Sequence, residues 1–268
     1  MGSLAFKEPT GMKNRIVWLS CAALLGLSVT SVLAQSPSAP AGPAPGIQRA
    51  FVALEGGAQV TPTSAESSVT YKLYGEDAVL SAGYDTTVVP VIGARAGMRV
   101  WRRLVVGVGA SLFGSNGSVT VTGRLPHPFF FQRPRTLDGT ASGIKRDEAV
   151  IYGELGWLVP LSPRLDVLLF AGPAFFTATQ EAATKLAFTE QYPFDTATFS
   201  SVEVVSKKVT ATGFTVGADL AYRLGKAWRV GILLRYSYAP ADVEPVAGQP
   251  FDITLGGLQT TAGLRIRF

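Results

Sequence analysis

From residue 253 onward the chain alternates with a period of two. Thr254, Leu258, Thr260, Ala262, Leu264, Ile266 and Phe268 fall on one side of an extended strand, and Gln259, Thr261, Gly263, Arg265 and Arg267 fall on the other. A strand sorted this sharply, with no residue after Phe268, is expected to close a sheet upon itself. Seven more segments have strand character, near 47–60, 87–101, 104–113, 149–159, 165–176, 209–224 and 228–238. Each is about ten or more residues long, near the roughly 9 to 11 needed to cross a bilayer at a tilt.

The spacers between them alternate in length. Residues 101–103, 160–164 and 225–227 are tight turns, whereas 61–86, 114–148, 177–208 and 239–252 are long. Both ends of the series then lie on the short-turn side, an asymmetry expected of a membrane barrel and without purpose in a soluble sandwich. The expected fold is all-β, a transmembrane antiparallel up-and-down β-barrel of eight strands with short periplasmic turns and long extracellular loops. Ten strands is the alternative, because 69–74, 119–122 and 201–205 also look extended. Counting any one of these as a span breaks the even strand number, so they are read as lengthening hairpins above the membrane.

Periodicity does not say which face is inside, but the composition of the polar face does. The sixth segment carries Gly213, Thr215, Gly217, Asp219, Ala221 and Arg223 on one face and Thr212, Phe214, Val216, Ala218, Leu220 and Tyr222 on the other. The seventh sets Arg229, Gly231, Leu233, Arg235 and Ser237 against Trp228, Val230, Ile232, Leu234, Tyr236 and Tyr238. Glycines, small polar groups and a few charges suit a narrow lumen, and an apolar band flanked by aromatic rings suits lipid. The same phase turns Glu55, Arg95, Glu154, Asp219 and Arg235 inward at similar depth, where buried charges must pair to remain ionised. A central salt-bridge cluster is expected, with Glu55 and Arg95 as the preferred direct pair. The third and fifth segments are apolar on both faces, Val105 beside Leu104 and Phe170 beside Leu169, and their phase stays open.

The closing pattern at Leu264, Ile266 and Phe268 resembles the assembly signal of bacterial outer-membrane β-barrels, and the mature chain is similar to the eight-stranded OmpA-like and opacity-type barrel domains. That resemblance implies an outer-membrane location in a Gram-negative cell, delivery by the barrel-assembly machinery, and outer-membrane lipid as the surrounding medium. It implies no enzyme activity and no cofactor. The full OmpA pattern continues into a peptidoglycan-binding domain, for which no residues remain after Phe268.

Residues 12–34 have the layout of a secretory signal peptide, with Lys13 and Arg15 before an apolar run and small residues at Val32 and Ala34. The signal is therefore expected to span 1–34, with cleavage after Ala34 and the true start at Met1 or Met12. The lone Cys21 lies inside that run, preceded by Trp18 rather than by a lipoprotein's small residues, so the mature chain carries no thiol. Removing Lys7, Lys13, Arg15 and Glu8 with the signal lowers the formal net charge from +5 to +3, too little to argue for nucleic acid. Residues 35–46, QSPSAPAGPAPG, cannot form a ladder and read as a tether, which leaves 47–268 for the barrel.

Chemistry is sparse. His127, between Pro126 and Pro128, is the only histidine, and none lies on a strand, as an outer-membrane deacylase would require. No metal-ligand spacing, phosphate loop or nucleophile elbow occurs. Asn116-Gly117 reads as a turn. The most suggestive segment is 114–148, where Phe129, Phe130 and Phe131 are flanked by Arg124, Arg133 and Arg135. The rings are expected either to rest on the membrane interface, with the arginines near anionic headgroups, or to pack over the barrel mouth. Two function classes follow: a surface-interaction barrel whose loops meet an extracellular ligand, and a narrow channel for small or hydrophobic solutes similar to OmpW-type barrels.

Overall fold

The barrel unit runs Ile47–Phe268, and the computed structural model describes residues 49–60, 65–85 and 88–268. The signal and tether expected over 1–46 lie outside the described residues. Ten strands follow in order: β1 Ala50–Val60, β2 Ala65–Leu73, β3 Glu76–Tyr84, β4 Val88–Trp101, β5 Leu104–Leu125, β6 Arg135–Pro160, β7 Leu165–Glu190, β8 Ala197–Arg223, β9 Trp228–Val246 and β10 Gln249–Arg267.

Eight of them close a ring. Pairing runs β5-β4-β1-β10-β9-β8-β7-β6, and β6 returns to β5, all antiparallel. Phe51 faces Arg267 across the β1–β10 seam, so the last strand closes the cylinder against the first. The remaining two, β2 and β3, form a hairpin that joins β5 above the point where β4 leaves it. The barrel is thus eight-stranded, and the ten-strand count includes one hairpin outside the ring.

The lower part of each strand presents apolar side chains outward. Leu54, Ile92, Val108, Ile151, Leu169, Val216, Ile232 and Leu264 are all exposed on the isolated chain, between one girdle of Trp101, Trp157, Tyr222, Trp228 and Phe268 and another of Phe175, Phe214 and Tyr236. From Trp228 to Tyr238 the strand covers about 33 Å at ~3.3 Å per residue, or roughly 25 Å along the axis at a ~40° tilt, which is the height of an outer-membrane apolar band. The third segment, now the foot of β5, turns Val105 inward, and the fifth, the foot of β7, turns Leu168 and Phe170 inward. All three pack with Phe51, Ala53, Leu158 and Leu233 in an apolar floor of the lumen. Both faces of these strands are apolar for that reason.

Above the belt the sorting inverts. On β5 the inward Val119, Val121 and Leu125 are fully buried, while Thr120, Thr122 and Arg124 face out. The interior there is an apolar core built from Leu80, Tyr84, Val121, Leu137, Phe176, Leu186, Val243, Phe251 and Leu255, among others. The spacers expected as loops are therefore mostly strand, because a hairpin that leaves the bilayer must bury its apolar side and wet its polar side. Asn116-Gly117 is not a turn. It lies within β5, opposite an irregularity where Gly143 (φ 83°) is the extra residue of β6.

The ring also opens above the belt. Pairing of β6 with β7 ends at Arg146 and Gln180, and that of β8 with β9 ends at Phe214 and Tyr238. What continues upward is a four-stranded sheet β2-β3-β5-β6 and two hairpins, β7–β8 and β9–β10. The β7–β8 hairpin lies across the four-stranded sheet, with Leu186 over Gly123 and Phe199 over Gly139, positions where a Cβ would push the overlying side chain aside.

Candidate functional site: the lumen and the extracellular apex

The lumen is filled in tiers. At its centre Arg95 divides its guanidinium among three carboxylates: Nε donates to Glu55 Oε2 at 3.1 Å, Nη1 to Glu154 Oε1 at 3.3 Å, and Nη2 to Asp219. All four side chains are buried. The planar fork of arginine suits this division, since its donors diverge in one plane toward acceptors on different strands. Arg265 on β10 gives Asp219 a second ion pair and lies over the Phe51 ring at 4.6 Å.

Arg235 does not join this cluster. Its Nε donates to Gln259 Oε1 at 2.9 Å and its guanidinium lies 4.1 Å over Tyr152. Arg235 and Gln259 face each other across β9 and β10, and Gln59 faces Gln259 across β1, so the three share one rung above the acids. Arg265 takes the place in the charge layer that the spacing suggests for Arg235. Its inward phase was readable from Gln259, Thr261 and Arg267.

Below the central layer, Asp166 binds both Arg229 and Arg267, the latter at 3.3 Å. All three occupy the last rung before the periplasmic turns. Above the Arg235 rung, Glu148 accepts from Arg146 at 3.1 Å and from the Gly256 amide at 3.0 Å, and Gln59 donates to the Gly256 carbonyl at 3.0 Å. The space left beside Arg95, Asp219 and Arg265 is about 10 Å³, and that beside Phe51 and Leu168 is also about 10 Å³, each room for roughly one water. Neither passes a solute.

On the outer wall, Leu264 and Phe268 face outward and are exposed, while Ile266 is half-buried on the same face. A second outward feature is the cleft where β8 and β9 part. It is an open groove of about 830 Å³ between Thr210, Ala211 and Thr212 on one side and Pro240, Ala241 and Asp242 on the other, over Phe175, Phe176 and Thr177. Pro240 has no amide hydrogen with which to resume pairing to β8.

Three hairpin turns meet at the top: that of β2–β3 at Tyr74 and Gly75, residues 126–134 between β5 and β6, and residues 191–196 between β7 and β8. Arg135 ties the last two together, its buried guanidinium donating to Glu190 at 2.7 Å and to the carbonyls of Phe194 at 2.8 Å and Pro126 at 3.0 Å. Tyr74 donates to Glu190 at 2.6 Å, and the Gln132 amide to Glu76 at 3.0 Å. His127 is buried, and its Nδ1 accepts the amides of Phe129 and Phe130 at 3.1 and 3.2 Å. Arg133 binds Asp195 at 3.0 Å and lies 5.6 Å over the Phe130 ring.

The expected roles of this segment are thereby corrected. From Leu112, the last outward apolar residue of β5, to Leu125 the strand climbs about 43 Å at ~3.3 Å per residue, so the apex stands roughly 30 to 40 Å above the belt. Phe129, Phe130 and Phe131 are out of reach of the bilayer that holds the barrel. Nor do they pack over its mouth, being 68%, 54% and 78% exposed. Arg135 is a structural tie, Arg133 is spent on Asp195, and Arg124 faces outward from the wall of β5.

Burial would raise the Glu190 carboxyl, but the hydrogen bonds from Tyr74 and Arg135 outweigh it and hold Glu190 below its ordinary value. A lowered carboxyl contributes stability that is complete above the ordinary carboxylate range and is lost as pH falls through the lowered value. Acidification below about pH 4 should therefore loosen the apex. Glu190→Gln should do so at pH 7, seen as faster hydrogen exchange at the Phe194 amide, which donates to Gln191 at 2.7 Å. Unchanged protection in the variant would show that Arg135 holds the turns without this carboxylate.

Compared with solved structures, the chain resembles outer-membrane barrels at low similarity. Neisserial surface protein A aligns with a TM-score of 0.40 and 11% identity over 82% of this chain and 97% of that one. OprG from Pseudomonas aeruginosa gives 0.43 and 10% over 82% and 97%. Ail of Yersinia pestis, solved in complex with the heparin analogue sucrose octasulfate, gives 0.36 and 11% over 82% and 99%. No protein-family model and no curated protein matches the sequence. The fold assignment rests on the strand pairing and on the two-sided sorting of side chains.

Proposed function

We propose that this eight-stranded outer-membrane β-barrel is a non-enzymatic anchor, which holds an apolar-cored β-module above the membrane so that the module's tip meets an extracellular surface ligand. The observation that carries this reading is the filled lumen. Charged and amide tiers from Asp166 up to Glu148 occupy the barrel across the belt, and the apolar core takes over above them. A cylinder plugged in this way serves as a stake, and what distinguishes it is the module it carries. In this reading Leu264, Ile266 and Phe268 on the outer wall are what the barrel-assembly machinery receives.

The cleft between β8 and β9 favours a second reading. It opens at the upper girdle beside Phe175 and reaches the buried Phe176. An apolar solute entering from outside could leave through it into the bilayer without crossing the charge tiers. Planar-bilayer recording distinguishes a water-filled pore from the anchor: the mature protein should be electrically silent, and a steady open level would overturn the plug. Uptake of an apolar dye into the lipid of proteoliposomes tests the lateral route, which the anchor reading expects to be no faster than in protein-free vesicles.

A further inference from the structure

We infer that the apex is a membrane-docking tip, built to insert Phe129, Phe130 and Phe131 into an apposed lipid surface, that of a facing cell or vesicle and not the bilayer in which the barrel sits. The inference rests on the surface-interaction reading and names its partner. Three consecutive phenylalanines stand 54–78% exposed on one turn, with Tyr192 beside them at 86%. So many large apolar side chains at one solvated point are unfavourable unless something covers them.

The turn that bears them is held before any contact is made. His127 Nδ1 fixes the amides of Phe129 and Phe130, Arg135 clamps the Pro126 carbonyl, and Phe129 packs on Phe194 with ring centres 5.4 Å apart. Docking therefore costs little ordering of the chain. The three phenylalanine rings carry no polar handle, whereas aromatic surfaces that read proteins rely on tyrosine and tryptophan, and Tyr192, against Phe194, is of the type that sits at a headgroup level. Phenylalanine on a protruding turn suits a soft apolar phase that needs no matching relief. The apex is also the part of the protein farthest from its own membrane, so a facing surface meets it first.

Charge decides which lipid. Arg133 is paired with Asp195, Arg135 with Glu190, and Lys72 with Asp77 at 2.9 Å. Glu76 accepts from the Gln132 amide. Arg124, outward on β5 below the turn, is offset by the nearby carboxylates of Asp138 and Glu76, so the tip has no surplus positive charge to offer anionic headgroups, and its affinity comes from the rings. Docking is thus expected on neutral phosphatidylcholine as readily as on anionic mixtures, and it should be insensitive to salt.

The mature protein, held in nanodiscs, is mixed with protein-free phosphatidylcholine vesicles, and the nanodiscs that rise with the vesicles in a density gradient are counted. Wild type should float. Phe129/Phe130/Phe131→Ser should float at least about tenfold less, since most of the transfer free energy of three rings is removed. Arg124/Arg133→Ala should float like wild type, in low and high salt. Heat-dependent gel mobility shows that each variant keeps its barrel. Wild-type nanodiscs that stay behind, equal flotation of the phenylalanine variant, or loss confined to the arginine variant would each overturn the inference. Binding of the same nanodiscs to intact cells separates the two levels: cell binding that survives without vesicle binding leaves the surface reading standing and removes lipid as its partner. Absence of both removes the surface reading too.

Discussion

Replacing Arg95 with glutamine should prevent the barrel from forming, or leave one that unfolds at far lower denaturant. The side chain is buried and divided among Glu55, Glu154 and Asp219. Without it, three inward carboxylates confront the single positive charge of Arg265 in that layer. Breaking a buried ion pair costs roughly 3–5 kcal/mol because the stranded partner stays desolvated, and here more than one partner is stranded. The loss is therefore expected at or above the upper end of that range. A triple variant, Glu55→Gln, Arg95→Gln and Glu154→Gln, supplies the control. It leaves Asp219 and Arg265 as a matched pair and replaces the other charges with amides that can hydrogen-bond one another. Urea unfolding of refolded protein should place the triple variant between wild type and the single one, even though it carries more substitutions. A triple variant weaker than Arg95→Gln alone would mean that the layer is held by the shape of the arginine and not by charge balance.

The second large effect tests where the membrane ends. Ile232 faces outward in the middle of the belt, and Ile232→Arg should cost about 2–4 kcal/mol, the price of an arginine near the bilayer midplane. Thr122 faces outward above the belt, and Thr122→Arg should change stability by no more than about 0.5 kcal/mol. Val121, its inward neighbour, is fully buried in the apolar core. Val121→Arg should cost at least about 3 kcal/mol, as an unpaired charge in an apolar interior does. Within the belt the outer face is the vulnerable one, and above it the inner face is. Equal penalties at Ile232 and Thr122 in vesicle-based refolding would put the bilayer surface higher than the girdle of Phe175, Phe214 and Tyr236.

That reversal also explains what could be read from the sequence. Within the belt, alternation and the rarity of charge were enough to place the eight spans, to turn Arg95 and Glu55 toward each other, and to send Ile232 and Leu234 outward. The alternation also turns Arg229 and Arg267 inward, but their shared partner Asp166 sits on a terminal rung, where a charge looks like a turn residue. Distance from the strand end puts Arg235 at the depth of the acids. Register decides instead, and it sets Arg235 opposite Gln259. Above the belt the threonines, serines and glycines that read as loops are the wetted side of long strands. The signal was present in pairs such as Val119 and Val121 beside Thr120 and Thr122, but a reading tuned to an apolar exterior finds the opposite sorting there and takes it for irregularity. The clamp of Arg135 on the β7–β8 turn had no signal in the sequence, since Glu190 and Phe194 are brought to it only by the meeting of separate hairpins.

The β1–β10 seam sets an order of events for a ribosome and an export channel. Phe51 is among the first residues of the unit to emerge, yet its partner Arg267 is among the last. Local hairpins such as β9–β10 can zip early, but the cylinder cannot be sealed until the final residues arrive, and joining such distant segments is entropically slow. Until that seam forms, both flanks of the open sheet carry unsatisfied backbone groups beside exposed apolar side chains, the state most prone to clumping. Keeping the open sheet from clumping until Arg267 is in place is as much a condition of this architecture as the lipid around the finished ring.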